Sequence, residues 1–320
     1  MLNEKPFAMF FNASPRKDWN TAKALASALS NGREHIYETQ SRKERAMSIK
    51  KLNLIYFSPG GTTKKTVRTI ASGINCIDVE SIDLLPSDNR KKRYVFGSDD
   101  LVVFGCMTAQ KLFTLSDEMF ACLEGHETPF IGVITYGNGF YGIALTEMLR
   151  RARSSGFKVA ALGAFIARHA IDTNAGRGRP DASDLAIMQD FGRRAFEKVS
   201  SGDLELHVLP ETNWSYKDGP NKIIAHREAN PDEPYALPVA YKTKEISDSC
   251  IQCGTCVRHC PVDAIDIKTR TFNLDKCIGC WGCINRCPKK AIRSTSREMA
   301  EITAAFADAY ERRLEPELFL

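Results

Sequence analysis

The residues best equipped for chemistry in this 320-residue chain are its cysteines. There are 11, and eight of them lie in the 38 residues from Cys250 to Cys287. They form two runs, Cys250-x-x-Cys253-x-x-Cys256-x-x-x-Cys260-Pro261 and Cys277-x-x-Cys280-x-x-Cys283-x-x-x-Cys287-Pro288. A shift of 27 positions superposes all eight, and also sets Ile251 on Ile278, Ala264 on Ala291 and Ile265 on Ile292. This is an internal duplication. Each half is too small to bury a core, so the two must pack together around whatever they bind. Thiols at this density either pair as disulfides in a secreted chain or ligate soft metal in a reducing compartment. The opening Met1-Leu2-Asn3-Glu4-Lys5-Pro6 carries an acid and a proline, and the apolar run from Phe7 to Phe11 is too short for a signal sequence. No stretch approaches the 18 apolar residues of a membrane span. The expectation is a cytoplasmic, metal-binding chain without a membrane partner.

The spacing chooses between metals. Zinc sites use two Cys-x-x-Cys pairs held apart by a longer spacer. Here three cysteines crowd at intervals of three, and a fourth precedes proline. That run resembles the signature of bacterial ferredoxins with two [4Fe–4S] clusters, over residues 246–294. The resemblance implies a crossed ligand set, in which the fourth cysteine of each run serves the other cluster. One cluster then takes Cys250, Cys253, Cys256 and Cys287; the other takes Cys277, Cys280, Cys283 and Cys260. Pro261 and Pro288 turn the chain away after each crossing ligand. Cys76, Cys106 and Cys122 stand singly in apolar surroundings and read as small buried hydrophobes.

The elements that must position this module lie upstream. From residue 52, apolar strand-like runs alternate with helical periodicity. Strands are expected at Leu52–Phe57, Cys76–Glu80, Leu101–Gly105, Phe130–Thr135 and Lys158–Ile166. Helices are expected at Thr62–Ser72, Ser116–Leu123, Gly142–Ser154 and Ser183–Val199. Five strands with intervening helices predict an α/β fold, a doubly wound parallel sheet covered on both faces. Ligands of such sheets sit beyond the carboxyl ends of the strands. Two turns there are rich in glycine and polar groups. Ser58-Pro59-Gly60-Gly61-Thr62-Thr63-Lys64 suits a phosphate monoester, although it lacks the Walker pattern. Thr135-Tyr136-Gly137-Asn138-Gly139-Phe140-Tyr141-Gly142 offers backbone polar groups beside two tyrosines, a place for a flat aromatic ring.

Together these segments resemble flavodoxin, and more closely the flavodoxin–ferredoxin fusion proteins of anaerobic bacteria. The resemblance covers residues 49–294, including Gly156-Phe157-Lys158-Val159, Phe165-Ile166-Ala167-Arg168-His169 and Gly178-Arg179-Pro180-Asp181. It implies a flavodoxin-like five-stranded sheet plus a small α+β ferredoxin domain. It also implies bound FMN, with Ser58, Gly61, Thr62 and Thr63 around the phosphate and Thr135, Tyr136, Gly137, Asn138 and Tyr141 along the isoalloxazine. The segment Cys106-Met107-Thr108-Ala109-Gln110-Lys111 departs from the aromatic loop of such proteins.

The expected organisation is a vestigial strand–helix extension over 1–46, a flavodoxin-like domain over 47–203 and an irregular linker over 204–245. The ferredoxin domain at 246–294 follows, then a helix and tail over 295–320. In the linker, Trp214 and Tyr216 are expected to anchor a chain that wraps the α/β domain. Thr295-Ser296-Arg297-Glu298 reads as a capping box opening a helix through about Arg312. The net charge is +5, from 44 basic and 39 acidic residues. Between Cys250 and Arg293 stand eight Lys or Arg and three Asp or Glu. That excess suits a module loaded with anionic clusters better than a nucleic-acid surface, since it is not interleaved with aromatics. The expected function is electron transfer between two [4Fe–4S] clusters and FMN, with a donor or acceptor protein or a small-molecule substrate as partner. The alternatives are a flavin-dependent reductase, with a cleft at Ala109 and Gly139, and an iron–sulfur carrier whose α/β domain no longer holds FMN. No His, Cys or carboxylate constellation marks a catalytic residue.

Overall fold

A computed structural model describes residues 47–76, 78–108, 115–172, 174–211, 239–299, 303 and 313–320. The extension at 1–46, the anchors Trp214 and Tyr216, the cleft residue Ala109 and most of the helix expected after 299 lie outside the described residues.

The central sheet is built from β1 (Lys51–Phe57), β2 (Asp78–Asp83), β4 (Asp100–Met107), β6 (Thr128–Tyr136) and β7 (Phe157–Ile166), all parallel, in the order β2-β1-β4-β6-β7. A sixth strand, β12 (Glu317–Phe319), pairs antiparallel with β7 and closes that edge. Its three half-buried residues carry no alternation that sequence could register, so the sheet has six strands and not five. Side chains along each central strand divide between two cores. Leu52, Leu54 and Tyr56 face one core while Ile55 and Phe57 face the other; Leu101 and Val103 oppose Val102, Phe104 and Cys106 in the same way. Burial on both faces is what makes these strands read as unbroken apolar runs. The edge strand β2 differs. Its first four residues are exposed, and the inward contacts come from Ile82, Leu84 and Leu85, which places it later than expected.

Helices α1 (Thr62–Ala71) and α5 (Ala182–Ser200) cover one face, while α3 (Ser116–Ala121) and α4 (Ala144–Ser154) cover the other. The short helix α2 (Ser87–Arg90) follows β2, and β3 (Tyr94–Phe96) forms a small parallel pair with β5 (Leu123–Gly125). Asp181 and Asp184 make a capping box at the start of α5. Arg179 pairs there with the fully buried Asp184 and also donates to Leu314 O, tying the chain end to this corner.

Residues 244–294 form a second unit. Strand β8 (Lys244–Ile246) pairs antiparallel with β11 (Ile292–Ser294), and β9 (Ile265–Asp266) with β10 (Thr271–Phe272). Two short helices, α6 (Thr255–Arg258) and α7 (Gly282–Arg286), start 27 residues apart. The backbone repeats with them. Gln252 and Gly279, Gly254 and Trp281, and Asp263 and Lys290 form three pairs at that spacing, and all six residues have positive φ. After the module, Met299 N donates to Ser296 Oγ, so Ser296 and not Thr295 is the cap.

Glycine 192, in the middle of α5, explains how α1 and α5 meet. A Cβ there would stand 2.0 Å from Ile70 O. Replacing an interior helix glycine with alanine gains about 1 kcal/mol from propensity alone. Here the added methyl collides with backbone, and overpacking of this kind costs about 1–3 kcal/mol. Gly192→Ala is expected to lower the urea midpoint of the α/β domain; a raised midpoint would show that the helices have room to separate.

Candidate functional site

The duplicated unit encloses two cavities of similar size. One, of about 310 Å³ including its open mouth, is lined by Cys250, Cys253, Cys256 and Cys287 with Ile251, Ile267 and Ile292. The other, of about 340 Å³, is lined by Cys260, Cys277, Cys280 and Cys283 with Val262, Phe272, Trp281 and Lys244. The fourth cysteine of each run therefore stands with the first three of the other. Among the described residues no group of three or more His, Cys, Asp or Glu could hold a single metal ion. The four thiols of each set are instead spread around cavity walls. Backbone amides point at the sulfurs in the duplicated pattern, with Ala264 N donating to Cys260 Sγ at 3.3 Å and Ala291 N to Cys287 Sγ at 3.2 Å. Such bonds stabilise sulfur that carries negative charge.

The two cavities differ in surroundings. Cys253 is exposed, and the Thr255 hydroxyl beside it lowers its thiol pKa. On the other side, burial pushes the Cys280 and Cys283 thiols up to about 12, while Lys244 works against that shift. Soft ligands entering there must take these groups as thiolates, so loading releases protons. Val262, Ile278 and Cys280 pack against one core of the α/β domain, so this cavity is the inner one.

Trp281 stands where the first repeat has Gly254, and it keeps a left-handed backbone with φ 56°. A bulky residue there is an outlier. Its Nε1 donates to Tyr241 O at 3.0 Å, and its ring packs with Ala240, Met299, Ala170 and Ile171. These contacts hold the ring between the inner cavity and the loop after β7.

That loop is one of three at the carboxyl ends of the strands. The strand order reverses at β1 and β4, which places the crevice of a doubly wound sheet there. Gly61 has φ 97° and caps α1 without a side-chain bond. Ser58 Oγ accepts from Lys64 N at 3.0 Å, and Thr63 Oγ1 meets Thr135 Oγ1 at 2.7 Å, joining the first turn of α1 to the end of β6 across β4. A Cβ on Gly60 would meet nothing within 4 Å. Thr62 is half-buried at the head of α1.

In the loop after β6, Tyr136 meets Tyr141 edge-on at 5.3 Å. Tyr141 is fully buried and its hydroxyl donates to Glu317 Oε2 at 2.8 Å, so it lies beneath the loop, facing β12. Asn138 takes a left-handed backbone and its Oδ1 accepts from Leu314 N. The His169 ring covers Gly137, where a Cβ would stand 2.1 Å from Cδ2. Burial lowers the His169 pKa to about 4, and Nδ1 accepts from the Asp172 amide at 3.0 Å. The imidazole is therefore neutral with its proton on Nε2. Of the lone thiols, Cys106 and Cys122 are buried, as their sequence context suggested, whereas Cys76, just before the solvent-facing start of the edge strand β2, is only half-buried.

The cysteine unit docks on these loops through side chains that sequence reading did not single out. Arg286 of α7 donates to Pro59 O and Ser58 O, and Gly282 sits so close that an added Cβ would be 3.0 Å from Pro59. Asn285 donates to Ala170 O at 2.9 Å and accepts from Arg168. From the other side Arg90, buried, donates to Leu84 O at 2.7 Å, Leu85 O at 2.8 Å and Pro261 O at 2.6 Å. Nothing in the pattern of charges announces Arg90 or Arg286, because each is recognised only by the carbonyls that converge on it. Arg90→Ala would leave three carbonyls without their donor, at about 1–3 kcal/mol each where they stay buried. It is expected to destabilise the protein by about 3 kcal/mol or more and to open the segment around Pro261 to limited proteolysis. Arg90→Lys should recover little, because one ammonium cannot span the same acceptors. Wild-type behaviour of Arg90→Ala would refute this docking.

Comparison with known proteins bears on the two units unequally. Residues 242–300 match the family of 4Fe–4S dicluster domains. No curated protein matches the chain. A solved structure from Bacteroides uniformis, described as a candidate flavoprotein, is similar over 38% of this chain and 90% of its own, with 15% identity and a TM-score of 0.28. That similarity is too slight to argue from. No helix among the described residues is long and apolar enough to cross a membrane. The chain carries a 4Fe–4S dicluster segment at its C-terminal side, and with it the chemistry of iron–sulfur electron transfer.

Proposed function

We propose that the chain is an intramolecular electron-transfer protein in which two [4Fe–4S] clusters exchange electrons with FMN held by a flavodoxin-like domain. The observation that carries this reading is the pair of cavities, each lined by four cysteines and the inner one packed on the α/β core. All-thiol donor sets suit soft iron–sulfur centres. In this reading Cys250, Cys253, Cys256 and Cys287 hold the outer cluster, and Cys260, Cys277, Cys280 and Cys283 the inner one.

Support for the flavin comes from the sheet order and the loops. Two strands and their crossovers lead to a crevice at β1 and β4, the place where flavodoxin-like sheets bind FMN. The orphan amides at the head of α1 favour an anion. Ser58, Gly61, Thr62 and Thr63 would cradle the phosphate, with Arg286 adding positive charge beside them. Thr135, Tyr136, Gly137 and Asn138 would border the ring, and Tyr141 would support that loop from below. Clusters pass single electrons and a flavin takes one or two, so the pair links one- and two-electron chemistry. This chain's residues supply position: Arg90, Asn285 and Arg286 fix the inner cavity against the strand ends, and Trp281 screens it from solvent.

Anaerobic isolation with quantitation should give about eight irons, eight labile sulfides and one FMN per chain. On stepwise reduction the flavin absorbance should bleach along with the clusters. Iron and sulfide at that level without retained flavin would sink the FMN half and leave an iron–sulfur carrier or adaptor. Iron without labile sulfide would sink the whole proposal.

A further inference from the structure

We infer that Lys244 is a built-in counter-ion for the inner cavity and selectively raises the reduction potential of the cluster bound there. The inference rests on the iron–sulfur reading above.

Lys244 begins β8 and is 9% exposed. Its Nζ donates to Tyr241 O at 2.8 Å and Lys242 O at 3.2 Å, lies 3.7 Å from Cys277 Sγ, and stands 5.9 Å from the centre of the Trp281 ring. It lines the same cavity as Cys260, Cys277, Cys280 and Cys283. No carboxylate among the described residues lies within ion-pair distance of it, whereas Arg90, the other buried cation described, pairs with Glu118, and the half-buried Arg151 and Arg179 pair with Glu147 and Asp184. A buried ammonium satisfied only by carbonyls and a ring face is costly unless a negative charge lies nearby. Among the described residues, the negative charge placed to meet it is the content of the cavity.

The outer cavity has no equivalent. Its lining cation is Lys289, which is exposed and screened by solvent. The position 27 residues after Lys244 is Thr271, so the duplication does not supply a second lysine. The asymmetry has a physical purpose. Burial disfavours adding an electron to an already anionic centre, which would make the inner site the harder one to reduce. A fixed ammonium at the cavity wall offsets that penalty where the electron must pass toward the α/β domain. Each cluster takes one electron, with no bond made or broken.

The test is a reductive titration of the full chain with both clusters loaded, followed by electron paramagnetic resonance, in wild type, Lys244→Met and Lys244→Arg. Cys253→Ser assigns the outer signal. In Lys244→Met the inner midpoint should move to more negative potential, so that the reduced-to-oxidised ratio at the wild-type midpoint falls at least about tenfold. The outer midpoint should stay in place, and Lys244→Arg should restore the inner one. An unchanged inner midpoint, or an equal shift of both, overturns the inference. Loss of inner iron in Lys244→Met that Lys244→Arg restores supports a charge role; loss in both overturns it. If the wild-type protein holds no labile sulfide, the iron–sulfur reading itself has failed, and that outcome is separate from a failure at Lys244.

Discussion

A repeat of 27 residues cannot enclose a ligand site by itself, and the architecture of the C-terminal unit follows from that constraint. Each run of cysteines supplies three walls of a cavity and borrows the fourth from its copy. Neither half can close before the other has folded beside it. The crossing also sets the backbone. Left-handed residues recur at three equivalent places in the two halves, and Ala264 and Ala291 aim their amides at the crossing sulfurs. The second half then departs from the first wherever it meets the α/β domain. Gly254 becomes Trp281, and α7 carries Asn285 and Arg286 onto the loops after β7 and β1. One copy keeps an exposed sulfur, while the other is turned inward.

The docking surface is polar in a particular way. Arg90 and Arg286 reach across in opposite directions, and their contacts across the seam end on main-chain carbonyls, while Arg90 Nε pairs with Glu118 within its own unit. Guanidinium groups can do this because their planar fork matches several acceptors at once. The result fixes backbone to backbone, which holds the inner cavity at the strand ends more firmly than an exposed ion pair would. The positive charge is also well placed. The Arg286 guanidinium sits against the carbonyls of Ser58 and Pro59, in the loop at the head of α1.

Much of this is legible in the sequence. The cysteine spacing and its duplication defined the C-terminal unit, and two-sided burial made β1, β4, β6 and β7 readable as apolar runs. What stayed hidden has physical reasons. Strand β12 is three residues long and gains its identity only by pairing with β7. Strand β2 is exposed over most of its length, so its apolar signal is weak and its position was read too early. Lys244 sits in a stretch without periodicity, and a single lysine there resembles any solvated charge. Gly192 looks like a flaw in a helix until Ile70 O is found against it.

The central claim is the crossed division of the eight cysteines, and selective ligand loss tests it most directly. Cys250→Ser, Cys260→Ser and Cys277→Ser would each be reconstituted anaerobically, and their cluster signals compared by electron paramagnetic resonance. The account predicts that Cys260→Ser impairs the same signal as Cys277→Ser and leaves the signal lost in Cys250→Ser intact. If Cys260→Ser instead removes the signal that Cys250→Ser removes, each run serves its own cluster and the crossed arrangement is wrong.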